Sequence, residues 1–133
     1  MTISSYHDLR VWQAGMQLVG DVHQLTEAFP PAEPANLAAE MQRAAIAVPS
    51  NIADGHTRGA TAEYLDRVAI AHGALAQLQT QIEIARRFGY VSTAAAANVT
   101  EQTNSLSRQL SALRAALANR IKASPPSESA RVP

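Results

Sequence analysis

TAEYLDRVAIAHGALAQLQTQIEIARRF, residues 61–88, decides the fold class. Tyr64, Val68, Ala71, Leu75, Leu78, Ile82 and Ala85 recur in steps of four and three residues. That spacing places them on one stripe of an α-helix, the seam by which bundle helices pack. Thr61 suits the N-cap, and Gly89 after Phe88 suits the stop. A helix of this length with a single apolar stripe needs neighbours of the same kind.

Those neighbours lie on both sides of it. Upstream, a helix is expected over 6–28, capped by Ser4 or Ser5, with Asp8 at the positive end of its dipole. It carries two apolar stripes: Leu9, Trp12, Met16 and Val19, then Val11, Leu18, Val22 and Leu25, ending at Phe29. A helix so apolar packs on two sides. Either both sides face the bundle core or one faces a second subunit, and Trp12, on the stripe with Leu9 and Met16, is expected to be largely buried. Pro30, Pro31 and Pro34 end it. A second helix is expected over 35–54, with Leu37, Met41, Ala44, Ala45, Val48 and Ile52 as its stripe, a kink at Pro49 and Gly55 as its cap. Downstream, Ser92 caps a fourth helix over 92–122 with Leu106, Leu110, Leu113, Leu117 and Ile121 in register. Short turns between four amphipathic helices imply an all-α, antiparallel, up-down-up-down four-helix bundle over 1–123. Residues 124–133 hold three prolines and three serines and read as a disordered tail.

Composition narrows the function. The 11 basic and 11 acidic side chains cancel, which weighs against strong binding to bare nucleic acid. The charge is uneven. Residues 1–41 hold one arginine and five carboxylates, whereas 91–123 hold Arg108, Arg114, Arg120 and Lys122 against Glu101. There is no cysteine, so disulfides and thiolate metal sites are excluded. No signal-peptide or membrane-spanning run is visible, and the expected location is cytoplasmic.

No residue set reads as an active site. His23 and Glu27 stand four apart on one helix, yet a metal needs further ligands, and no Glu-x-x-His motif occurs. Asp54 and His56 lack a nucleophile. His72 and Gln79 share a side of the third helix and suit hydrogen-bonded core polar groups. The protein therefore reads as a non-enzyme without cofactor or metal. The densest unusual cluster is RAAIAVPSNIADG, Arg43–Gly55, followed by Arg58. It suits either a specialised helix end, with Ser50 and Asn51 satisfying backbone groups near Pro49, or a binding surface. The candidate partner-binding residues are Arg43, Asn51, Asp54, Arg58, Arg86, Arg87, Arg108 and Lys122. Arg86 and Arg87 suit either a phosphate or the negative end of their helix dipole. Arg108 lies opposite the fourth helix's stripe, so these cations reach one surface only if an assembly gathers them.

DLRVWQAG at 8–15, FP at 29–30, the block at 43–55, AHGALAQLQTQIEIA at 71–85 and GY at 89–90 together resemble the family of proteins encoded in 23S rRNA intervening sequences, also labelled S23 ribosomal proteins. The resemblance implies a four-helix bundle that assembles into a homopentameric ring. It also implies a relative in diversity-generating retroelements, an accessory protein that binds its reverse transcriptase and nucleic acid through a basic surface. The family usually has Gln-Leu-Arg-Arg where this chain has Glu40-Met41-Gln42-Arg43, and Glu where it has Asp54. The first change removes a positive charge and adds a negative one. The expected function is a non-enzymatic oligomeric scaffold or accessory protein with a macromolecular partner. The alternatives are weak, sequence-independent nucleic-acid binding and, less favoured, a metal-dependent enzyme.

Overall fold

The computed structural model describes residues 5–123, so the tail at 124–133 lies outside the described residues. A 3-10 turn, Tyr6–Asp8, leads into α1 (Arg10–Thr26), α2 (Leu37–Thr57), α3 (Thr61–Arg87) and α4 (Thr93–Ala123). No strand occurs among the described residues.

The first helix is divided, not continuous from residue 6. Ser5 Oγ accepts from the His7 amide, and Asp8 Oδ2 accepts from the Ser5 amide at 3.4 Å, so the capping box closes on a single turn. Leu9 is then extended, with φ −78° and ψ 127°, before α1 begins. At the other end, Phe29 N donates to Thr26 O at 3.1 Å, so the chain leaves α1 in tight turns.

The second helix starts and ends later than its residues suggest. Asn36 takes a left-handed conformation, φ 53°, and the Glu33 carboxylate supplies the cap, accepting from Leu37 N at 2.6 Å and Ala38 N at 2.8 Å. Gly55 is not a cap but lies inside α2, because α3 passes too close for any side chain. A Cβ there would sit 2.7 Å from Arg67 Cβ. Gly59, with φ 79°, makes the reversal instead. Helix α2 runs unbroken through Pro49. The ring is buried, and a Cβ on Gly15 would approach its Cβ and Cδ at 3.3 Å, so glycine on α1 makes room for proline on α2.

Thr61 is the first residue of α3 and fully buried, with Ala60 at the cap position. The end of α3 follows the sequence closely. Gly89, φ 75°, donates to Arg86 O at 3.0 Å, and Tyr90 N to Ala85 O at 2.9 Å, which is a Schellman stop. Ser92 Oγ caps α4 by accepting from Ala95 N at 3.1 Å.

Cross-helix pairs fix the topology. Thr26 meets Gln42 while Gly15 meets Pro49, Asp54 meets Arg67 while Ala44 and Ala47 share a groove with Gln77 and Gln81, and His72 meets Ser107 while Gln79 meets Thr103. In each pair of helices one number rises as the other falls, so neighbours run antiparallel. Each helix packs on the next and α1 returns to α4, sharing the thinnest of these interfaces. The core is filled by Leu18, Val22, Met41, Val48, Ile52, Val68, Leu75, Leu78, Ile82, Leu106 and Leu110, each at most 2% exposed. Burying one such side chain contributes about 1.5–3 kcal/mol. On α4, Leu113 and Ile121 are only half-buried, whereas Leu117 between them is buried.

Candidate interaction surfaces

The two stripes of α1 have different fates. Leu18, Val22, Leu25 and Phe29 enter the core, whereas Leu9, Trp12 and Val19 are half-buried and Met16 is 47% exposed. Trp12 is mostly but not fully buried: it packs against the edge of the core, and its ring lies edge-on to Tyr6 and His7 at 5.3 and 5.1 Å. Alongside it on α2, one turn before Pro49, stands Ile46, 50% exposed. Trp12, Met16, Val19 and His23 follow one strip of α1, and Gln42, Ile46, Pro49 and Ala53 follow the facing strip of α2. None of these is a carboxylate, lysine or arginine. Ile70 on α3 is equally exposed but sits in a groove with Arg58, Glu63, Asp66 and Arg67. The apolar strip is therefore distinct in being uncharged, not merely in exposing an isoleucine.

The Pro49–Arg58 segment is knitted by its own side chains. Asn51 Nδ2 donates to the Ala47 carbonyl at 2.7 Å. Asp54 holds two guanidinium groups, Arg58 Nε on Oδ1 and Arg67 Nε on Oδ2, each at 3.1 Å. Arg67 is the partner that spacing along the chain did not reveal. The glycine at 55, inside a helix where glycine is costly, is the signal that points to it. At 41% and 37% side-chain exposure these ion pairs are solvent-screened and contribute little beyond positioning.

The other cations are scattered. Arg43 pairs with Glu40 one turn back. Arg86 and Arg87 both grip Glu83, at 2.7 and 3.2 Å. Their hydrogen bonds hold the Glu83 carboxyl down at about 2, and the same contact raises Arg86. Arg108 lies 3.9 Å from Glu101. Arg120 and Lys122 have no ion-pair partner among the described residues. They end α4 at the same end of the bundle as the α2–α3 turn, which brings them toward Arg58 and Arg67. Arg43, Arg86, Arg87 and Arg108 lie elsewhere, so one protomer does not unite the sequence-derived set.

Across α3 and α4, His72 Nε2 meets Ser107 Oγ at 2.8 Å and Arg114 Nη1 meets His72 Nδ1 at 3.2 Å. Arginine can only donate, so Nδ1 accepts and the proton of neutral His72 sits on Nε2. Nε2–H then donates to Ser107, leaving no base for its hydroxyl: the pair is structural. Burial first, and the Arg114 charge second, lower the His72 pKa. Gln79 Nε2 donates to Thr103 Oγ1 and Asn104 Oδ1, which places both polar residues of this side as α3–α4 ties. His23 and Glu27 are exposed, and no group of three His, Asp or Glu side chains converges among the described residues.

A groove of about 560 Å3 opens where α1 meets the start of α4. Leu25, Val91 and Val99 form its apolar part, and Asp21, Gln24, Tyr90 and Asn98 line it with polar groups.

Compared with known families, residues 7–112 match the model described as 23S rRNA-intervening sequence protein. The chain belongs to this family. Among curated proteins none matches it. For the 23S rRNA-intervening sequence proteins the matched span runs from the 3-10 turn into α4 and takes in the apolar strip, the Pro49–Arg58 segment and the groove. It stops before Arg114, Arg120 and Lys122, so these α4 cations lie beyond the family's matched span. No helix among the described residues is long and apolar enough to cross a membrane.

Proposed function

We propose that this protein is a non-enzymatic, oligomeric helical scaffold or accessory protein that binds a macromolecular partner in the cytoplasm, with the α1/α2 strip as its subunit contact. The exposed Met16 and Ile46, flanked by the partly buried Trp12 and Val19 with no charged side chain among them, carry the reading, since exposed apolar surface of this kind marks protein contacts. A closed homopentamer, as the family resemblance implies, requires a heterologous contact that closes on itself. The chain lacks cysteine, so single thiols report on the strip cleanly. Ile46→Cys and Ile70→Cys replace side chains that are each 50% exposed in the protomer. In the assembled protein the thiol at 46 is expected to react with a maleimide far more slowly than the thiol at 70. Equal rates would remove the strip as a contact.

Weak, salt-sensitive, sequence-independent binding of RNA or DNA is the second reading. It is favoured by Arg120 and Lys122, which have no ion-pair partner among the described residues and end α4 at the α2–α3 turn's end of the bundle, and opposed by Glu63 and Asp66 at the start of α3. An assembly multiplies such a patch through avidity. Binding of labelled RNA and DNA at two salt concentrations tests it, with Arg108→Glu and Lys122→Glu as controls. Loss of binding in Lys122→Glu but not in Arg108→Glu, which lies off this surface, supports it, equal effects of the two do not, and no binding at low salt eliminates nucleic acid.

A further inference from the structure

The groove between α1 and α4 is separate from both surfaces above. Its volume, about 560 Å3, falls within the range of small-molecule sites. The buried Leu25, Val91 and Val99 give it an apolar part. Tyr90 forms an aromatic wall, held in place by Phe29 at 5.3 Å and Phe88 at 5.6 Å between ring centroids. Gln24 and Asn98 reach it with amides that make no hydrogen bond among the described residues.

Asp21 sets the chemistry. Its half-buried carboxylate has no cationic partner among the described residues; only the Gln17 amide touches it, at 3.3 and 3.4 Å. The two nearest helix turns on α1, Gln17 and Gln24, are neutral, and so are Asn98 and Gln102 on α4. A carboxylate and an aromatic wall beside an apolar pocket are complementary to an organic cation with an apolar body. The competing polarity comes from the start of α4, whose dipole favours anions. Its Ala95 amide is already taken by Ser92 Oγ, however, whereas the carboxylate still lacks a countercharge.

We infer that the α1/α4 groove is a binding site for a small organic cation with an apolar body, the ammonium or amidinium group resting on Asp21 and the apolar part on Leu25, Val91 and Val99. The test uses three probes of one shape: 4-phenylbutylamine, 4-phenylbutyrate and 4-phenylbutanol. Each is titrated into the full-length, assembled protein and followed by amide NMR shifts. The amine is expected to move Gly89, Val91, Asn98 and Val99 and to bind about tenfold more tightly than the butyrate, the scale of a charged hydrogen bond. Asp21→Asn is expected to abolish the preference for amine while leaving the alcohol unchanged. Equal or tighter binding of the butyrate would overturn the inference, as would shifts confined to other regions. So would the absence of shifts at millimolar amine. In that case a lower oligomer mass for Asp21→Arg would identify a second copy of the chain as the true occupant.

Discussion

Gly55→Ala tests the close approach of α3 to α2 at Gly55. In an ordinary helix interior this change stabilises by about 1 kcal/mol, since alanine loses less backbone entropy. Here the added carbon would lie 2.7 Å from Arg67 Cβ and 3.1 Å from Tyr64 Cδ1. The first of these is adjacent to the backbone and cannot swing away, so α2 and α3 must separate. Overpacking of this kind costs about 1–3 kcal/mol. Gly73→Ala supplies the reference, because a Cβ on that α3 residue meets nothing within 4 Å. Subtracting one variant from the other cancels the propensity gain and leaves the steric term. Urea unfolding at matched protein concentration should therefore place Gly55→Ala about 1–3 kcal/mol below Gly73→Ala. If both variants gain stability equally, the close approach of α2 to α3 is wrong.

Three further outcomes follow from individual contacts. His72 has a folded pKa lowered from its ordinary 6.5, so the unfolded chain binds the proton more readily. Its contribution is complete above about pH 6.5 and is lost as pH falls through the lowered value; urea midpoints between neutral pH and pH 5 should drop less in His72→Gln than in the parent. Glu83, held at about 2, contributes above its ordinary 4.5 and loses that contribution as pH falls toward 2, so Glu83→Gln should flatten the acid limb alone. The Tyr64 hydroxyl is buried without a hydrogen-bond partner among the described residues, and burial pushes its pKa up to about 12. Tyr64→Phe is accordingly expected to be neutral or to stabilise by about 1 kcal/mol in thermal unfolding, and a clear loss of stability would reveal a partner for that oxygen.

The bundle was legible because its signal is periodic. The α3 stripe, the Gly89 stop and the Ser92 cap all fall where spacing and cap chemistry place them. The misplacements occur where a tertiary contact overrides a local preference. Gly55 looks like a terminator, yet it is a helical glycine that admits Arg67 from α3, a residue on a different helix and outside any local window. Met16 follows a helical stripe yet is 47% exposed, because α1 buries only one of its two stripes fully within the protomer. Most candidate cations are engaged by carboxylates three or four residues away on their own helix, Arg43 by Glu40, Arg58 by Asp54, and Arg86 and Arg87 by Glu83, a spacing legible in the sequence; the Asp54–Arg67 pair between α2 and α3 needed the fold to bring it together. The α1/α4 groove had no sequence signal, because Asp21 and Tyr90 lie on different elements and meet only through packing.

Light scattering coupled to gel filtration measures the assembly itself. A particle of five 14.2 kDa protomers is expected at micromolar concentration, reduced to smaller species by Met16→Asp combined with Ile46→Asp while circular dichroism stays helical. A monomeric parent protein, or an assembly whose mass is unchanged by the two aspartates, would contradict it.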